Sequence, residues 1–294
     1  MTEQREPSEQ PHLLFGMPVD PLSMEQVVAR CRRALVGRTR MMIGVVNAAK
    51  MTALRTDADL RDSLLDCDMV IADGQSVVWA SRLLRRRLPE RVTGIDLFER
   101  LLDEANRDGW SVYLLGATPE IIETLQDRLR ERWPDLKVAG ARDGYFTDAE
   151  AADVAADIRA AHADMLFLGM TSPKKEVFLG TYGAVLDVPV LHGVGGSFDV
   201  LAGKTKRAPR LWQRAGMEWA YRLLQEPRGM WRRYLRTITA FLAHLAVELV
   251  RPAPPYRRSR PLPAAASVTA LNSIRNTVID LRDQAPVHRQ SSGA

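Results

Sequence analysis

Short apolar runs alternate with longer amphipathic stretches between residues 41 and 196. The runs are rich in β-branched and large aliphatic side chains, and amphipathic stretches of about 10–15 residues separate most of them. The runs cover residues 41–46, 69–72, 111–115, 165–168 and 188–191, with 137–139 as a weaker member. This alternation predicts βαβ units and therefore an α/β fold, with a mostly parallel sheet flanked by helices.

Two helix starts are signalled clearly between these runs. Thr118 offers an N-cap followed by Pro119 at the first helical position. Thr147 and Glu150 have the spacing of a capping box. A further helix is expected to begin near Gln75, directly after the second run.

Beyond Gly203 the strand signals stop and helical periodicity continues. One apolar stripe recurs at helical spacing and consists of Trp231, Leu235, Ile238, Leu242, Leu245 and Leu249. Arginines recur four residues apart on a neighbouring face, at Arg228, Arg232 and Arg236. This basic amphipathic helix could pack its stripe on the α/β core, or could dock on a membrane, a partner or a second subunit.

These patterns predict four regions. We expect a flexible N-terminus at residues 1–12, an α/β core at 13–203, a basic helical appendage at 204–251, and a disordered tail at 252–294. The tail is expected to be disordered because it is rich in proline, arginine and alanine.

Positive charge is concentrated in one segment. Residues 204–236 carry ten basic side chains against Glu218 and Glu226, a net +8 in a chain whose total is only +5. Trp212, Trp219 and Trp231 lie among them. Arginine binds phosphate oxygens and tryptophan favours a headgroup boundary, so a polyanionic partner such as an anionic membrane surface or a lipid diphosphate is expected.

Composition indicates the cellular compartment and the kind of membrane contact to expect. Cys31 and Cys67 have no neighbouring cysteine or histidine at zinc-site spacing, and we expect a reducing cytoplasm rather than a disulfide framework. The first ten residues lack an apolar segment, which argues against a secretory signal peptide. No uncharged apolar run reaches about 18 residues, so any membrane contact is expected to be peripheral.

Candidate chemistry lies at the carboxyl ends of the predicted strands, where open parallel sheets bind ligands. Asp73 directly follows one run, and its carboxylate could act as a general base or cap the next helix. The glycines at 193, 195 and 196 could allow a phosphate to approach the backbone, or could serve a tight turn.

Several familiar sites are absent from the sequence. The first strand is not followed by a GxGxxG fingerprint, and there is neither a P-loop nor a GxSxG motif. His192 is expected to be a core or rim residue. Two DxD-like triplets, at 57–59 and 66–68, are expected to flank a helix start and precede a strand rather than bind metal.

Taken together, these segments resemble the WecG/TagA/CpsF family of bacterial glycosyltransferases, glycosyltransferase family 26. The matching motifs run in family order over roughly residues 13 to 236. They are Asn47, Ala72-Asp73-Gly74, LPERVTGIDL at 88–97, Leu115-Gly116-Ala117, Asp143-Gly144-Tyr145-Phe146, Pro173-Lys174-Lys175-Glu176, VGGSFD at 194–199, AGKTKRAP at 202–209 and EWAYRL at 218–223.

The resemblance implies a Rossmann-like domain with a helical appendage that works peripherally at the cytoplasmic face of the cell membrane. It implies an inverting transferase, N-acetylmannosaminyltransferase-like, that takes a sugar from a UDP-sugar donor. The implied acceptor is a polyprenyl-diphosphate-linked saccharide of cell-surface polysaccharide biosynthesis. Neither a metal nor a cofactor is implied, and no nucleic-acid partner; a homo-oligomer is left open.

The resemblance also implies residue roles. Asp73 matches the proposed general base. Asn47, Arg91 and Asp199 match positions that line the donor pocket, while the turn at Gly195 and Gly196 would let backbone approach the nucleotide sugar. The appendage arginines that would meet diphosphate charge match Arg222, Arg228 and Arg232.

Two positions depart from the family pattern. Val45 stands where a threonine is common, and Lys175 stands where glutamine often precedes the glutamate that is Glu176 here. A cation at 175 would suit an acidic donor such as a UDP-uronate, unless Lys175 pairs with Glu176 or points to solvent.

Two other interpretations compete with the enzyme. The chain could be a non-catalytic nucleotide-binding α/β protein in which Asp73 only caps a helix. It could also bind nucleic acid through its basic segment, which would make its affinity steeply salt-dependent.

Overall fold

The computed structural model describes residues 10–214, 216–225 and 227–259. Within these ranges six parallel strands form one sheet and two short antiparallel strands form a hairpin. The strands are β1 (His12–Leu14), β2 (Met17–Val19), β3 (Met41–Val46), β4 (Met69–Ala72), β5 (Ser111–Gly116), β6 (Lys137–Arg142), β7 (Met165–Gly169) and β8 (Val190–Gly193). The large sheet has the order β4-β3-β8-β7-β5-β6, which confirms the predicted parallel α/β fold.

Helices cover both faces of this sheet. Over the described part of the chain they are α1 (Met24–Gly37), α2 (Ala48–Ala53), α3 (Ala58–Leu65), α4 (Gln75–Leu83), α5 (Gly94–Asp108), α6 (Pro119–Arg132), α7 (Ala151–Ala160), α8 (Lys174–Tyr182), α9 (Ser197–Leu201), α10 (Arg210–Arg214), α11 (Glu218–Gln225) and α12 (Pro227–Val250).

The strands alternate their side chains between two apolar layers. In β5, Val112 and Leu114 join the layer that contains α1, α5 and α6, whereas Tyr113 and Leu115 join the opposite layer with α7 and α8. Both faces are apolar because both are covered by helices, which is typical of parallel sheets.

The predicted strand positions agree closely with the structure, with two informative differences. β8 begins at Val190 rather than at 188, because Pro189 has no N–H to donate to a neighbouring strand, although its carbonyl accepts a hydrogen bond from Met41 N. The hairpin of β1 and β2 was not predicted, since three-residue strands are too short to show a period. Its turn is Phe15-Gly16, both at positive φ.

The helix-start predictions are partly confirmed. Thr118 Oγ1 accepts from Ile121 N and Pro119 opens α6, as expected. Glu150 accepts a hydrogen bond from Thr147 N at 2.8 Å, but a turn intervenes and α7 begins only at Ala151.

The apolar stripe predicted on α12 does not form its packing face. Phe241 is 4% exposed and lies 5.3 Å from Phe15, between ring centroids, and the buried Glu248 pairs with Arg86 at 3.1 Å. Leu245 also packs against this core cluster. The other stripe members are exposed: Trp231, Leu235, Ile238, Leu242 and Leu249. The interpretation that the whole stripe packs on the core is therefore wrong.

Residues 252–259, predicted to be disordered, pack on the core instead. Tyr256 N donates to Gly16 O at 2.8 Å, and the Arg61 guanidinium lies 5.3 Å from the Tyr256 ring. Ser259 N donates to the Asp62 carboxylate. These contacts anchor the segment because each satisfies a polar group against the folded domain. The rest of the predicted tail, 260–294, and residues 1–9 of the N-terminus predicted to be flexible, 1–12, lie outside the described residues. The last residue of that predicted segment, His12, begins β1 and pairs with Val19, so the prediction of flexibility is wrong there.

Candidate active site

The candidate site lies where the carboxyl ends of β3, β4 and β8 are side by side. After β3 the chain moves outward to β4, and the next strand, β5, lies in the other half of the sheet. Ligands bind at such a change of direction in open α/β sheets. The residues that follow the three strands are Asn47, Asp73 and the turn at 194–196.

Asn47 and Gly74 bring the first two of these loops into contact. Asn47 Oδ1 accepts from Lys50 N at 3.1 Å and caps α2. A Cβ added to Gly74 would lie only 3.1 Å from Asn47 Cβ, so the β4 loop depends on glycine to pass this close. The loops that carry Asn47 and Asp73 are therefore in contact.

Asp73 does not cap a helix. The N-cap of α4 is Gly74, which makes no side-chain capping bond, so the capping interpretation of Asp73 is wrong. The backbone N–H of Gly94 is close enough to its carboxylate to lower the pKa. The carboxylate is thus not committed to the start of α4.

Burial raises the pKa of Asp73 above its usual range, and this effect outweighs the nearby charges. Arg91 and Lys50 act in the opposite direction and lower the pKa, while Glu218 raises it. A carboxylate with a raised proton affinity, held in a crevice, is suited to general-base chemistry.

Two buried lysines share one buried glutamate beside this carboxylate. Glu176 Oε1 lies 2.7 Å from Lys50 Nζ and 2.5 Å from Lys175 Nζ. The Oε2 atom of Glu176 is buried and has no hydrogen-bond partner among the described residues. Lys175 therefore pairs with Glu176, one of the alternatives that the sequence left open.

Charge in this cluster is unevenly compensated. Desolvation lowers the pKa of Lys175 to about 8, helped by Lys50, whereas Glu176 and Asp73 oppose the shift. Desolvation raises the pKa of Glu176, but the two lysines outweigh it and the pKa is lowered. Glu176 is therefore ionised at neutral pH, and two ammonium groups face one carboxylate.

Lys50 was not identified from the sequence as a site residue. A lysine three residues after Asn47 on a short helix that is otherwise small and apolar was the available signal. Its partner Glu176 lies on α8, and no local pattern joins the two segments. Val45, where the family often has threonine, packs its side chain in the apolar layer, and its carbonyl accepts from Lys50 Nζ.

The glycine turn after β8 faces open space. Gly195 has φ +54°, and a Cβ added to Gly196 would meet no atom within 4 Å among the described residues. A Cβ on Gly193 would lie 3.1 Å from the Lys175 stem, which packs beneath the turn. Asp199 follows in the first turn of α9, and its carbonyl accepts from Lys204 N and Thr205 N.

His192 is a core residue, as expected. It is fully buried, and desolvation lowers its pKa to about 4, so the ring is neutral near pH 7. The neutral ring donates from Nε2 to Gly94 O at 3.1 Å. Gly94 is thus held at its carbonyl by His192, while its N–H lies close to the Asp73 carboxylate.

Arg91 joins the site to the C-terminal helices. Its Nη1 lies 3.0 Å from Glu218 Oε2 on α11, and its Nη2 donates to Gln213 O on α10 at 3.0 Å. A Cβ added to Gly216 would lie 2.3 Å from Gln75 Cγ, so the turn between α10 and α11 rests directly on the first residue of α4. This turn lies at the rim of the crevice.

Of the three arginines predicted to act from the appendage, the structure describes the side chain of Arg232. The side chains of Arg222 and Arg228 lie outside the described residues. Arg232 is exposed and its guanidinium lies 5.4 Å from the ring of Trp231. Its described contact is therefore on α12, not in the crevice.

Neither aspartate triplet is arranged as a metal site. Asp57 caps α3 through a bond from Leu60 N at 2.9 Å, and Asp68 pairs with Arg40 at 3.0 Å. Asp66 is paired with Arg258. Over the described ranges, no three His, Cys, Asp or Glu side chains are grouped so that they could hold a metal ion.

Comparison with known families agrees with this geometry. The model of the glycosyl transferase WecG/TagA/CpsF family matches residues 12–254, which is most of the chain. The match includes every candidate site residue named from the sequence and extends through α12. The family is one of glycosyltransferases, and this chain belongs to it.

Proposed function

We propose that the protein is an inverting, metal-independent transferase that moves a sugar from a UDP-sugar to a polyprenyl-diphosphate-linked saccharide. The observation that carries the proposal is Asp73. Its carboxylate is free of helix capping, has a raised pKa, and follows β4, which only β3 separates from the strand that precedes the open glycine turn. The product would be part of a cell-surface polysaccharide such as a capsule, an exopolysaccharide or a wall polymer.

In the proposed reaction Asp73 removes the proton from the acceptor hydroxyl. That oxygen forms a bond to the anomeric carbon of the donor on the face opposite UDP. The bond between this carbon and the UDP oxygen breaks, and UDP leaves with the electron pair. Attack from the opposite face inverts the anomeric configuration.

The leaving diphosphate gains negative charge, which must be met inside the site. Lys50 and Lys175 place two ammonium groups at the crevice, where they share Glu176 and also act on Asp73, and Arg91 adds a guanidinium that is paired with Glu218. These cations support a mechanism that needs no metal. UDP-sugar is then the donor substrate, and no separate cofactor is required.

The acceptor proposal rests on the basic C-terminal segment and the exposed apolar face of α12. No helix in the described ranges could span a bilayer. Trp231, Leu235 and Leu242 are nevertheless exposed beside arginines, which supports peripheral attachment to an anionic inner membrane surface. A polyprenyl-diphosphate acceptor would be presented at that surface.

For the donor, the site favours a sugar with a carboxylate, such as a UDP-uronate, over UDP-N-acetylmannosamine. The supporting observation is that two ammonium groups, those of Lys50 and Lys175, share the single carboxylate of Glu176. We expect Lys175→Gln to weaken binding of UDP-glucuronate more than binding of UDP-N-acetylmannosamine, so that the ratio of the two affinities falls. In the unsubstituted protein the same ratio should fall as pH rises through about 8, where Lys175 loses its charge. A ratio unchanged in both measurements would contradict the donor proposal.

The function is tested by turnover of short-chain polyprenyl-diphosphate-linked acceptors with a panel of UDP-sugars in the presence of EDTA. We expect UDP release that depends on acceptor, and a matching increase in acceptor mass. Asp73→Asn should lower the transfer rate by a factor of roughly 10²–10⁴ while UDP binding persists. The control is Asp127→Asn, which changes an exposed carboxylate on α6 that pairs with Arg130.

The alternatives make different predictions in the same assay. Unchanged transfer in Asp73→Asn would contradict the general-base role. UDP binding without product from any acceptor would favour a binding protein. Tight, salt-sensitive association with nucleic acid and no UDP binding would favour the third interpretation.

A further inference from the structure

Helix α4 leaves an aromatic and an aliphatic side chain in solvent. Trp79 is 53% exposed and Leu83 is 56% exposed. They are four residues apart and share one face of the helix. The opposite face is packed in the core through Val77, Val78 and Ala80. The exposed pair is thus held on a rigid, well-packed helix.

Cations surround this face. Arg82, Arg85 and Arg87 are exposed, and none of them forms an ion pair with another residue in the described ranges. Arg82 and Arg87 also line an open cleft of about 670 Å³ together with His12. Its other described lining residues are uncharged: Pro21, Gln26, Leu88 and Pro89. The cleft therefore offers two guanidinium groups and no competing carboxylate.

This surface begins at the rim of the candidate active site. Gln75 starts α4 two residues after Asp73 and lies against Gly216 of the α10–α11 turn. Trp79 follows one helical turn later and Leu83 two turns later, a rise of about 12 Å from Gln75. A planar partner on this face would thus lie close to the crevice.

We propose that this face of α4, defined by Trp79, Leu83, Arg82 and Arg87, docks on an anionic phospholipid bilayer. Trp79 and Leu83 enter the headgroup boundary, where an aromatic ring with a polar N–H is stable. A headgroup phosphate occupies the cleft between Arg82 and Arg87. The proposal deepens the proposed function, on which it rests for the lipid-linked acceptor, and places a docking surface on the core domain itself.

The test is binding of the full chain to sedimented vesicles of phosphatidylcholine containing phosphatidylglycerol. Arg82→Gln with Arg87→Gln should weaken the partition coefficient roughly fivefold for each arginine removed. Trp79→Ser with Leu83→Ser should weaken it roughly tenfold or more, because buried apolar area is lost. Pure phosphatidylcholine vesicles should bind weakly throughout.

Matched controls separate this face from general charge and hydrophobicity. Arg128→Gln with Arg130→Gln removes the same charge from an exposed region of α6, and Val36→Ser removes an exposed apolar side chain from α1. Both controls should bind as the unsubstituted protein does. All substituted residues are exposed, so each variant should have nearly the same stability to unfolding as the parent.

Transfer to a water-soluble short-chain acceptor is measured for every variant. Lost vesicle binding with retained soluble transfer supports the proposal. Vesicle binding unchanged in both α4 variants would overturn it, as would a loss of equal size in the controls or a loss traced to self-association. If the unsubstituted protein binds through α4 but transfers no sugar, the docking inference stands and the proposed function fails.

Discussion

The proton affinity of Asp73 is set by opposing influences from two residues that also pair with each other. Arg91 lowers the pKa of Asp73 and Glu218 raises it, while the two lie 3.0 Å apart. Burial has a larger effect on the pKa of Asp73 than either of these residues. The proton affinity of this proposed base is thus tuned by an ion pair that also joins the α/β core to α11.

We expect Arg91→Gln and Glu218→Gln to move the acid limb of the pH–rate profile in opposite directions. Transfer needs ionised Asp73, so the rate falls as pH decreases through its pKa. Loss of Arg91 raises that pKa and moves the limb to higher pH, whereas loss of Glu218 moves it to lower pH.

Both variants break the same ion pair, so a purely structural effect would act alike in the two. If the acid limbs of the two pH–rate profiles move in the same direction, or do not move, the ion pair only holds α11 on the core and does not set the pKa of Asp73. The measurement is the rate of UDP release with a soluble acceptor from pH 5 to 9.

Individual site residues were predictable where strand ends define them. Asn47, Asp73 and the glycine turn follow apolar runs, and the sheet brings them together. The partners of Arg91 were not predictable, because Glu218 is 127 residues away and lies in a region without strand periodicity. The Lys50 and Glu176 pair was missed for the same physical reason.

At the scale of elements, α12 shows how one helix can carry two apolar faces. Except for Leu245, the stripe with regular heptad-like spacing faces solvent, and the packed face is set by Phe241, Leu245 and Glu248. Periodicity identified the helix correctly but not its orientation. A buried glutamate within the packed face weakens the apolar signal there, although Arg86 compensates its charge.

Adjacent residues on this helix should differ sharply in their contribution to stability. Phe241→Ala should lower the free energy of unfolding by about 3–5 kcal/mol, because it leaves a cavity against Phe15. Leu242→Ala changes a side chain that is 56% exposed and should cost about 0.5 kcal/mol or less.

Urea unfolding followed by circular dichroism measures both values. Equal losses in the two variants would contradict the assignment of the packed face. A small loss in Phe241→Ala alone would show that α12 adds little to the core.

At the scale of the whole molecule, alternation of strands and helices predicted a parallel sheet but not its order. The order β4-β3-β8-β7-β5-β6 depends on long crossovers whose lengths do not specify the neighbour of each strand. It is this order that places Asp73 and the glycine turn on either side of the end of β3, although about 120 residues separate them in the chain. The site is thus a product of topology.

The distribution of charge leads to a prediction about ionic strength. Transfer to an acceptor embedded in anionic vesicles should slow at least fivefold when NaCl is raised from 0.1 to 0.5 M. Added salt screens the attraction between the basic surfaces and the anionic vesicle. The Debye length is about 10 Å at 0.1 M and becomes shorter at 0.5 M. Transfer to a short-chain acceptor in solution should change much less, and equal salt effects on both acceptors would contradict the surface contribution.

The contact between Gly216 and Gln75 leaves less clearance than one methyl group requires. An added Cβ would overlap the Gln75 side chain at 2.3 Å, and the φ of +69° also favours glycine. Replacing one hydrogen atom of Gly216 by a methyl group would therefore push the turn away from α4, and with it the Gln213 carbonyl and the Glu218 carboxylate that hold Arg91. The position of this turn and the proton affinity of Asp73 are thus linked through one glycine.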